Sequence, residues 1–298
     1  MLTEKQFDVL SLLAEQETKK DKISQRKISK LTGYSLGTIN SIITELENEA
    51  FIQDGTILPL GLKQLEPYKV NKIIFIAAGV GSRLLPITLN TPKPLIRIKG
   101  KRIIDTIIDA AITAGIEEIY IVRGYLSEQF DQLLYKYPMI KFIENPEYNE
   151  GNNIASALAA GPEIRNAYIC EADILLKNSS LIKKYQYKSN YCGVQCESTD
   201  DWCLKESKGR ITGVTVGGTN GYRMLGISYW TEEDGQKLAE CLEKAYKMPG
   251  GKERYWDSVP LSIFVNEFNL SIRECSFEDF DEIDTFSELK KLDPVYDI

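Results

Sequence analysis

Through the first sixty residues the apolar positions recur at helical spacing, and beyond residue 70 they gather into short runs separated by glycines and further helical stretches. Phe7, Leu10, Leu13 and Ala14 fall on one helical face. Ser24 caps a second, short helix that reaches Leu31 and stops at Gly33, and Ser35 caps a third that carries Ile39, Ile42, Ile43 and Leu46. Phe51-Ile52, Asp54-Gly55 and Thr56-Ile57-Leu58 predict a hairpin with a tight turn. From there strand and helix alternate. The pattern predicts strands over 72–77, 118–122, 140–144 and 167–171, helices over 103–114, 127–137, 153–160 and 286–292, and a helix stop at Gly115. Such alternation implies an α/β fold with a doubly wound, mostly parallel sheet. The change of pattern near Leu65-Glu-Pro-Tyr-Lys-Val70 divides the chain into residues 1–68 and 69–298, in keeping with a length of 298 residues.

Composition narrows the chemistry mainly through what is missing. The chain has no histidine, which excludes Ser-His-Asp triads, histidine general bases and histidine-ligated metals. Catalysis must then rest on carboxylates, lysine, arginine and a metal held by oxygen. The six cysteines contain no Cys-x-x-Cys pair and are read as reduced thiols. No signal-peptide pattern is present, and no apolar run approaches the ~20 residues of a membrane span. A cytoplasmic protein without membrane partners is expected.

The richest stretch follows the first strand of the second segment: Ile76-Ala-Ala-Gly-Val-Gly-Ser-Arg-Leu-Leu-Pro-Ile-Thr-Leu-Asn-Thr-Pro-Lys-Pro-Leu95. Gly79 and Gly81 allow the backbone to approach a ligand with its N–H groups facing phosphate oxygens. Arg83 adds a planar fork of donors. Pro86, Pro92 and Pro94 predict an extended, stiff loop that aims the Lys93 ammonium. A bare Gly-x-Gly is equally a structural turn; the fixed spacing to Arg83 and Pro92-Lys93-Pro94 favours the phosphate site. No Walker loop and no third glycine of a dinucleotide fingerprint accompany it. Ligands of doubly wound sheets bind beyond the carboxyl ends of the strands, where this loop lies. Asp173 follows the strand 167–171 at the same edge and is well placed for Mg2+, a hard ion that takes one or two carboxylates.

This loop resembles the signature of nucleotidyltransferases that join a nucleoside triphosphate to a phosphorylated small molecule, with a Rossmann-like fold. Four further stretches, Val122–Phe130, Glu147–Asn153, Asp201–Leu204 and Tyr255–Asp257, resemble the bacterial CTP:phosphocholine cytidylyltransferases. The resemblance spans about residues 71–292. It implies that Ala77, Ala78, Gly79, Gly81, Ser82, Tyr125, Gly151, Asn152 and Asn153 contact CTP; without it, Asn152 and Asn153 read equally well as helix caps. It also implies that Asp173 binds the catalytic Mg2+, with Asp284 ranked ahead of Asp257 as the second carboxylate. A choline acceptor would need ring faces with nearby carboxylates, which Trp202, Trp230, Tyr255, Trp256 and Asp257 supply as residue types. For each tryptophan, core packing is the competing role. The implied reaction transfers CMP from CTP to phosphocholine with Arg83 and Lys93 as catalytic cations; a sugar-1-phosphate or other small phospho-alcohol is the alternative acceptor.

The first segment, with its order helix, helix-turn-helix, hairpin and the local sequence Gln25–Ile39, resembles the winged helix-turn-helix family. Lys19, Lys20, Lys22, Arg26, Lys27 and Lys30 form a basic stretch, yet residues 1–68 hold 8 basic and 10 acidic side chains. Phosphate neutralisation dominates nucleic-acid affinity. DNA contact, with Thr38 and Asn40 at base edges, therefore stands level with a protein-interaction module, including one that builds a homodimer. A reading of another class makes the chain a DNA-binding regulator with a nucleotidyltransferase-like sensor; Arg83, Lys93 and Asp173 argue against a dead domain.

Overall fold

The helical spacing of the first residues becomes α1 (Glu4–Lys19), followed by α2 (Gln25–Thr32) and α3 (Leu36–Asn48) in a computed structural model that describes residues 1–19 and 23–297. Lys20, Lys22 and the side chain of Lys19 lie outside the described residues. Ser24 and Ser35 accept the N–H groups of Lys27 and Thr38, so each serine satisfies an orphan donor of its helix. Strands β1 (Ile52–Gln53) and β2 (Thr56–Ile57) pair across Asp54 and Gly55, both at positive φ (49° and 74°), as a two-residue hairpin turn requires. Helix α4 (Pro59–Leu65) follows. Leu10, Ile28, Ile39, Leu46, Ile52 and Leu65 form the buried centre.

The chain divides into two compact units, Met1–Lys69 with Tyr185–Tyr187, and Val70–Lys184 with Lys188–Ile298. The inclusion of 185–187 in the first unit has no sequence signal. Tyr185 joins its core, and the Tyr187 ring stacks on Tyr68 at 5.4 Å.

In the second unit β3 (Lys72–Ile76) leads into the glycine loop. Next come the short ribbon β4 (Arg97–Ile98) and β5 (Lys101–Arg102), α5 (Ile103–Ala114), β6 (Glu118–Arg123), β7 (Ile140–Glu144), α6 (Ile154–Ala159), β8 (Ala167–Glu171) and β9 (Ile174–Leu176). A long hairpin of β10 (Asn190–Ser207) and β11 (Arg210–Trp230) follows, then α7 (Glu232–Tyr246), β12 (Ser271–Cys275), β13 (Phe280–Glu282) and α8 (Phe286–Leu292). Seven strands form one mixed sheet in the order β12-β10-β11-β8-β3-β6-β7. Its β8, β3, β6 and β7 run parallel, while β11 pairs antiparallel with both β8 and β10. Both faces of the centre are covered. Ile73 and Phe75 pack with Ile104, Ile107 and Ala111 of α5, whereas Ile74 joins Ile154, Leu238 and Leu242 of α6 and α7. Full burial of such a side chain contributes about 1.5–3 kcal/mol.

Two expectations change at the local level. The segment 127–135 is 3-10 and not α-helical. The proline-rich loop is not uniformly extended: it folds into 3-10 turns at Ser82–Leu84, Ile87–Leu89 and Lys93–Leu95. The reason is that a proline restrains the residue before it but is itself welcome early in a turn. Leu85, the residue before Pro86, stays extended at ψ 142°, while Pro94 sits at the second position of the turn Lys93–Leu95. No helix among the described residues is long and apolar enough to cross a membrane.

Candidate active site

The in-register pairing of β3 with β6 and β8 sets Ile76 beside Val122 and Glu171, so three strands end at one edge. Gly81 takes φ 66°, and a Cβ there would stand 3.2 Å from both Lys93 Cβ and Thr88 Cγ2. The loop is therefore folded tightly onto the lysine segment. The Thr88 hydroxyl donates to Gly81 O at 3.1 Å, and the Tyr125 hydroxyl donates to Thr88 O at 2.9 Å, which braces the loop from β6.

A cleft of about 470 Å³ opens at this edge. Of the residues expected at the nucleotide, Ala77, Gly79, Gly81, Ser82, Lys93, Gly151, Asn152, Asn153 and Asp173 line it. Ala78, which is buried, and Tyr125 do not line it; the Tyr125 N–H donates to Ala78 O at 3.1 Å. Gly151 is required by close approach, since a Cβ would lie 2.2 Å from Lys252 O. Asn153 does not cap α6 with its side chain. Its Oδ1 accepts the Trp256 N–H at 2.9 Å, and its Nδ2 donates to Glu171 Oε1 at 3.4 Å. This amide ties the nucleotide-side loop to the segment that carries Asp257.

The charged centre is assembled by β9 and β13. These short strands pair antiparallel, Ile174 opposite Glu282, and the Ile283 N–H donates to Asp173 O at 3.2 Å. Asp173 and Asp284 are thereby brought to one ammonium: Lys93 Nζ lies 2.9 Å from Asp173 Oδ2 and 3.0 Å from Asp284 Oδ1. Arg83 Nη2 reaches the same Asp284 oxygen at 2.9 Å while most of its side chain stays exposed. Burial pulls the Lys93 ammonium down, but Asp173 and Asp284 outweigh this and hold it above its ordinary value. Burial pushes Asp284 up, and Lys93 and Arg83 more than reverse this.

Asp173 Oδ1 is buried without a hydrogen-bond partner. An orphaned carboxylate oxygen beside a second carboxylate is a donor set suited to a hard cation. No cluster of three or more carboxylates or thiolates able to hold a metal occurs among the described residues. Two carboxylates nevertheless suffice for Mg2+ when water and phosphate oxygens supply the remaining ligands.

The structure divides the residues expected at the acceptor. Trp230 is fully buried, its ring met edge-on by Tyr191, Trp256 and Phe268. Trp256 is 2% exposed and stacks on Tyr191 at 6.2 Å. For both, the core role prevails, because their faces are taken by other side chains of the layer between the sheet and α7. Trp202 and Tyr255 are instead accessible and touch edge to face at 5.4 Å. Asp257 is buried and accepts the Tyr191 hydroxyl at 3.0 Å; no bond links it to Lys93 or Arg83. Among the described residues, Asp284 alone shares Lys93 with Asp173.

Three charged residues at this site carried no expectation: Glu171, Glu282 and Arg223. Burial, then Asp173 and Asp257, push Glu171 well up. Burial and Asp173 push Glu282 up to about 8 against the pull of Arg223. A sequence signal for Arg223 existed, since it is the single charged residue between Arg210 and Glu232.

Burial pushes Asp257 up to about 7, although Tyr191 pulls it back. A folded-state value above the unfolded one means that the native chain binds the extra proton, so stability falls as pH rises from about 4 to about 7. Asp257→Asn removes this loss. We expect the urea midpoint of the variant to fall less steeply over that window than that of wild type, and to lie above it at pH 8, with Glu171 and Glu282 keeping the remaining slope. Parallel slopes for the two proteins would contradict it.

With the geometry in view, the relatives are informative. A family model described as nucleotidyl transferase matches residues 72–196, and one described as winged helix-turn-helix DNA-binding matches residues 2–53. A 2-aminoethylphosphonate cytidylyltransferase of Lancefieldella rimae is 38% identical over 232 residues, covering 76% of this chain and 94% of its own. A choline-phosphate cytidylyltransferase of Streptococcus pneumoniae is 31% identical over 227 residues, covering 75% and 97%. The solved CTP:phosphocholine cytidylyltransferase of Streptococcus pneumoniae superposes with a TM-score of 0.69 at 30% identity, over 76% of this chain and 99% of that one.

Proposed function

This chain belongs to the cytidylyltransferase family of nucleotidyl transferases, and on that premise we propose that it transfers CMP from CTP to a small phosphonate or phosphate acceptor bearing a primary ammonium, of the 2-aminoethylphosphonate kind. The observation that carries the transfer is the convergence of Lys93, Asp173 and Asp284 beside the glycine loop. An acceptor oxygen attacks the α-phosphorus in line, a new P–O bond forms, and the bond to the β-phosphate oxygen breaks with release of pyrophosphate. The attacking oxygen is already anionic at neutral pH, so no general base is needed, which suits a chain without histidine.

Arg83 and the N–H groups of the loop hold the β- and γ-phosphates, and Lys93 neutralises charge that grows around the α-phosphate. Asp173 and Asp284 would hold Mg2+, whose positive charge would offset that of the phosphate oxygens. The ammonium of the acceptor is assigned from the composition of the acceptor side. Trp202, Tyr255 and Phe277 offer accessible rings, the first two touching each other, and Glu171, Asp201, Asp257 and Glu282 bring four carboxyl groups to the same centre. A primary ammonium donates hydrogen bonds to such groups. A quaternary one depends more on ring faces. The Trp202–Tyr255 pair is the feature that favours the second reading, phosphocholine.

The test follows pyrophosphate release with CTP, Mg2+ and a panel of acceptors. We expect kcat/KM for 2-aminoethylphosphonate or phosphoethanolamine to exceed that for phosphocholine at least about tenfold. A preference for phosphocholine, or for a sugar 1-phosphate, would overturn the primary-amine assignment. For the winged helix, α3 carries no Lys or Arg, and the exposed cations Arg26, Lys27 and Lys30 lie on α2 or at its end. This favours weak, salt-sensitive DNA contact or a protein partner.

A further inference from the structure

The acceptor brings a phosphoryl or phosphonyl dianion toward a centre crowded with carboxylates. Asp173, Asp201, Glu282 and Asp284 all lie there, and two of the three cations that meet them, Arg83 and Lys93, sit on the loop read as the triphosphate cradle. The third is Arg223, on β11 of the long hairpin. Its Nε and Nη2 lie 3.2 and 3.0 Å from Asp201 Oδ2, and Nη2 also lies 2.6 Å from Glu282 Oε2. Phe277 stands near the guanidinium, 5.7 Å from ring centroid to its carbon.

Three of its donor directions are thus fixed by neighbours, while Nη1 has no hydrogen-bond or ion-pair partner among the described residues. The side chain is 22% exposed, so that nitrogen is not sealed in. A guanidinium pinned along one edge and open along another is preorganised to receive an anion, because the rotamer cost is already met by Asp201 and Glu282. Asp201 Oδ1 also accepts the Trp202 N–H at 2.7 Å, so the carboxylate that pins Arg223 is tied to the segment that carries the accessible Trp202 ring.

We propose that Arg223, through Nη1, binds the phosphonate or phosphate oxygens of the acceptor and so orients the attacking oxygen. This rests on the reading of the chain as a cytidylyltransferase with a small phosphorus-bearing acceptor, and it deepens that reading by naming the residue that holds the nucleophile. Phosphonate and phosphate present the same dianionic oxygens, so Arg223 accepts both, and discrimination among acceptors falls to the amine end.

The experiment uses the full chain saturated with Mg2+ and the non-reactive cytidine 5′-(α,β-methylene)triphosphate, which occupies the cations of the glycine loop. Methylphosphonate is then titrated by calorimetry into wild type, Arg223→Gln and Arg223→Lys. The lysine variant keeps a cation beside Asp201 and Glu282 and guards against a folding defect. Expected is a Kd raised at least tenfold in both variants, an acceptor KM raised by a similar factor, and a CTP KM within twofold of wild type. Methylphosphonate affinity unchanged in Arg223→Lys, acceptor and CTP KM rising together, or no methylphosphonate binding by wild type would each overturn the assignment. If methylphosphonate binding depends on Arg223 but no primary-amine acceptor is turned over, this inference stands and the amine assignment falls.

Discussion

Lys93→Ala is expected to lower kcat by about 10²–10⁴-fold, the range seen when a preorganised charge at a transition state is removed. The effect is large because the lysine is aimed before substrate arrives. Pro92 and Pro94 restrain its backbone, the Gly81 turn packs against its Cβ, and its side chain is 13% exposed, with the ammonium between two carboxylates. An exposed lysine would lose most of its worth to solvent; one held here keeps it. The substitution also leaves Asp173 and Asp284 without their shared cation, Asp284 retaining only Arg83. The variant should therefore melt at a lower temperature than wild type without metal, and Mg2+ should restore much of the difference by binding the freed carboxylates. Steady-state kinetics with thermal melts at several Mg2+ concentrations reads both effects. A kcat within about threefold of wild type would remove Lys93 from the catalytic machinery.

The Lys93 loop was legible because its information is local. Glycines, prolines and charges at fixed spacing after an apolar run describe a strand and a tight loop without any knowledge of what pairs with them. The winged helix was legible for the same reason, its serine caps and Asp54-Gly55 turn each acting within four residues. What the residues alone do not give depends on pairing across long separations. The union of Asp173 with Asp284 is expected from the family resemblance and not from the pattern, because it needs β9 to meet β13 more than a hundred residues later, and no periodicity announces that register. The fates of the tryptophans diverge for a related reason. In a sheet covered on both faces, alternation no longer separates core from surface, so Trp230 at the buried end of β11 and Trp202 in the accessible part of β10 read alike. Arg223 pairs with Asp201 and Glu282, 22 and 59 residues away. Its isolation in an uncharged run was a hint, but only the fold says what it faces.

Asp173→Asn separates function from stability more sharply than any other change. The amide keeps the size of the side chain, yet it replaces an anionic oxygen with an N–H donor that repels a hard cation, so turnover should fall by about 10³-fold or more. Stability should move the other way. In wild type Asp173 Oδ1 is buried without a partner, and the Asp173 charge helps to push both Glu171 and Glu282 up. Removing that charge relieves two repulsions and turns the ion pair with Lys93 into a neutral hydrogen bond to the amide oxygen, while Lys93 keeps Asp284. Without metal the variant should be at least as stable as wild type near pH 7. In wild type, Mg2+ at about 100 times its Kd should add about 2.7 kcal/mol of stability, and in Asp173→Asn this gain should largely vanish. Calorimetric melts with and without Mg2+, beside pyrophosphate-release rates, measure all three. A variant that loses activity and stability together would mark Asp173 as a structural carboxylate. Loss of activity with stability retained or raised is the signature of a residue kept at a cost to the fold for the ion it holds.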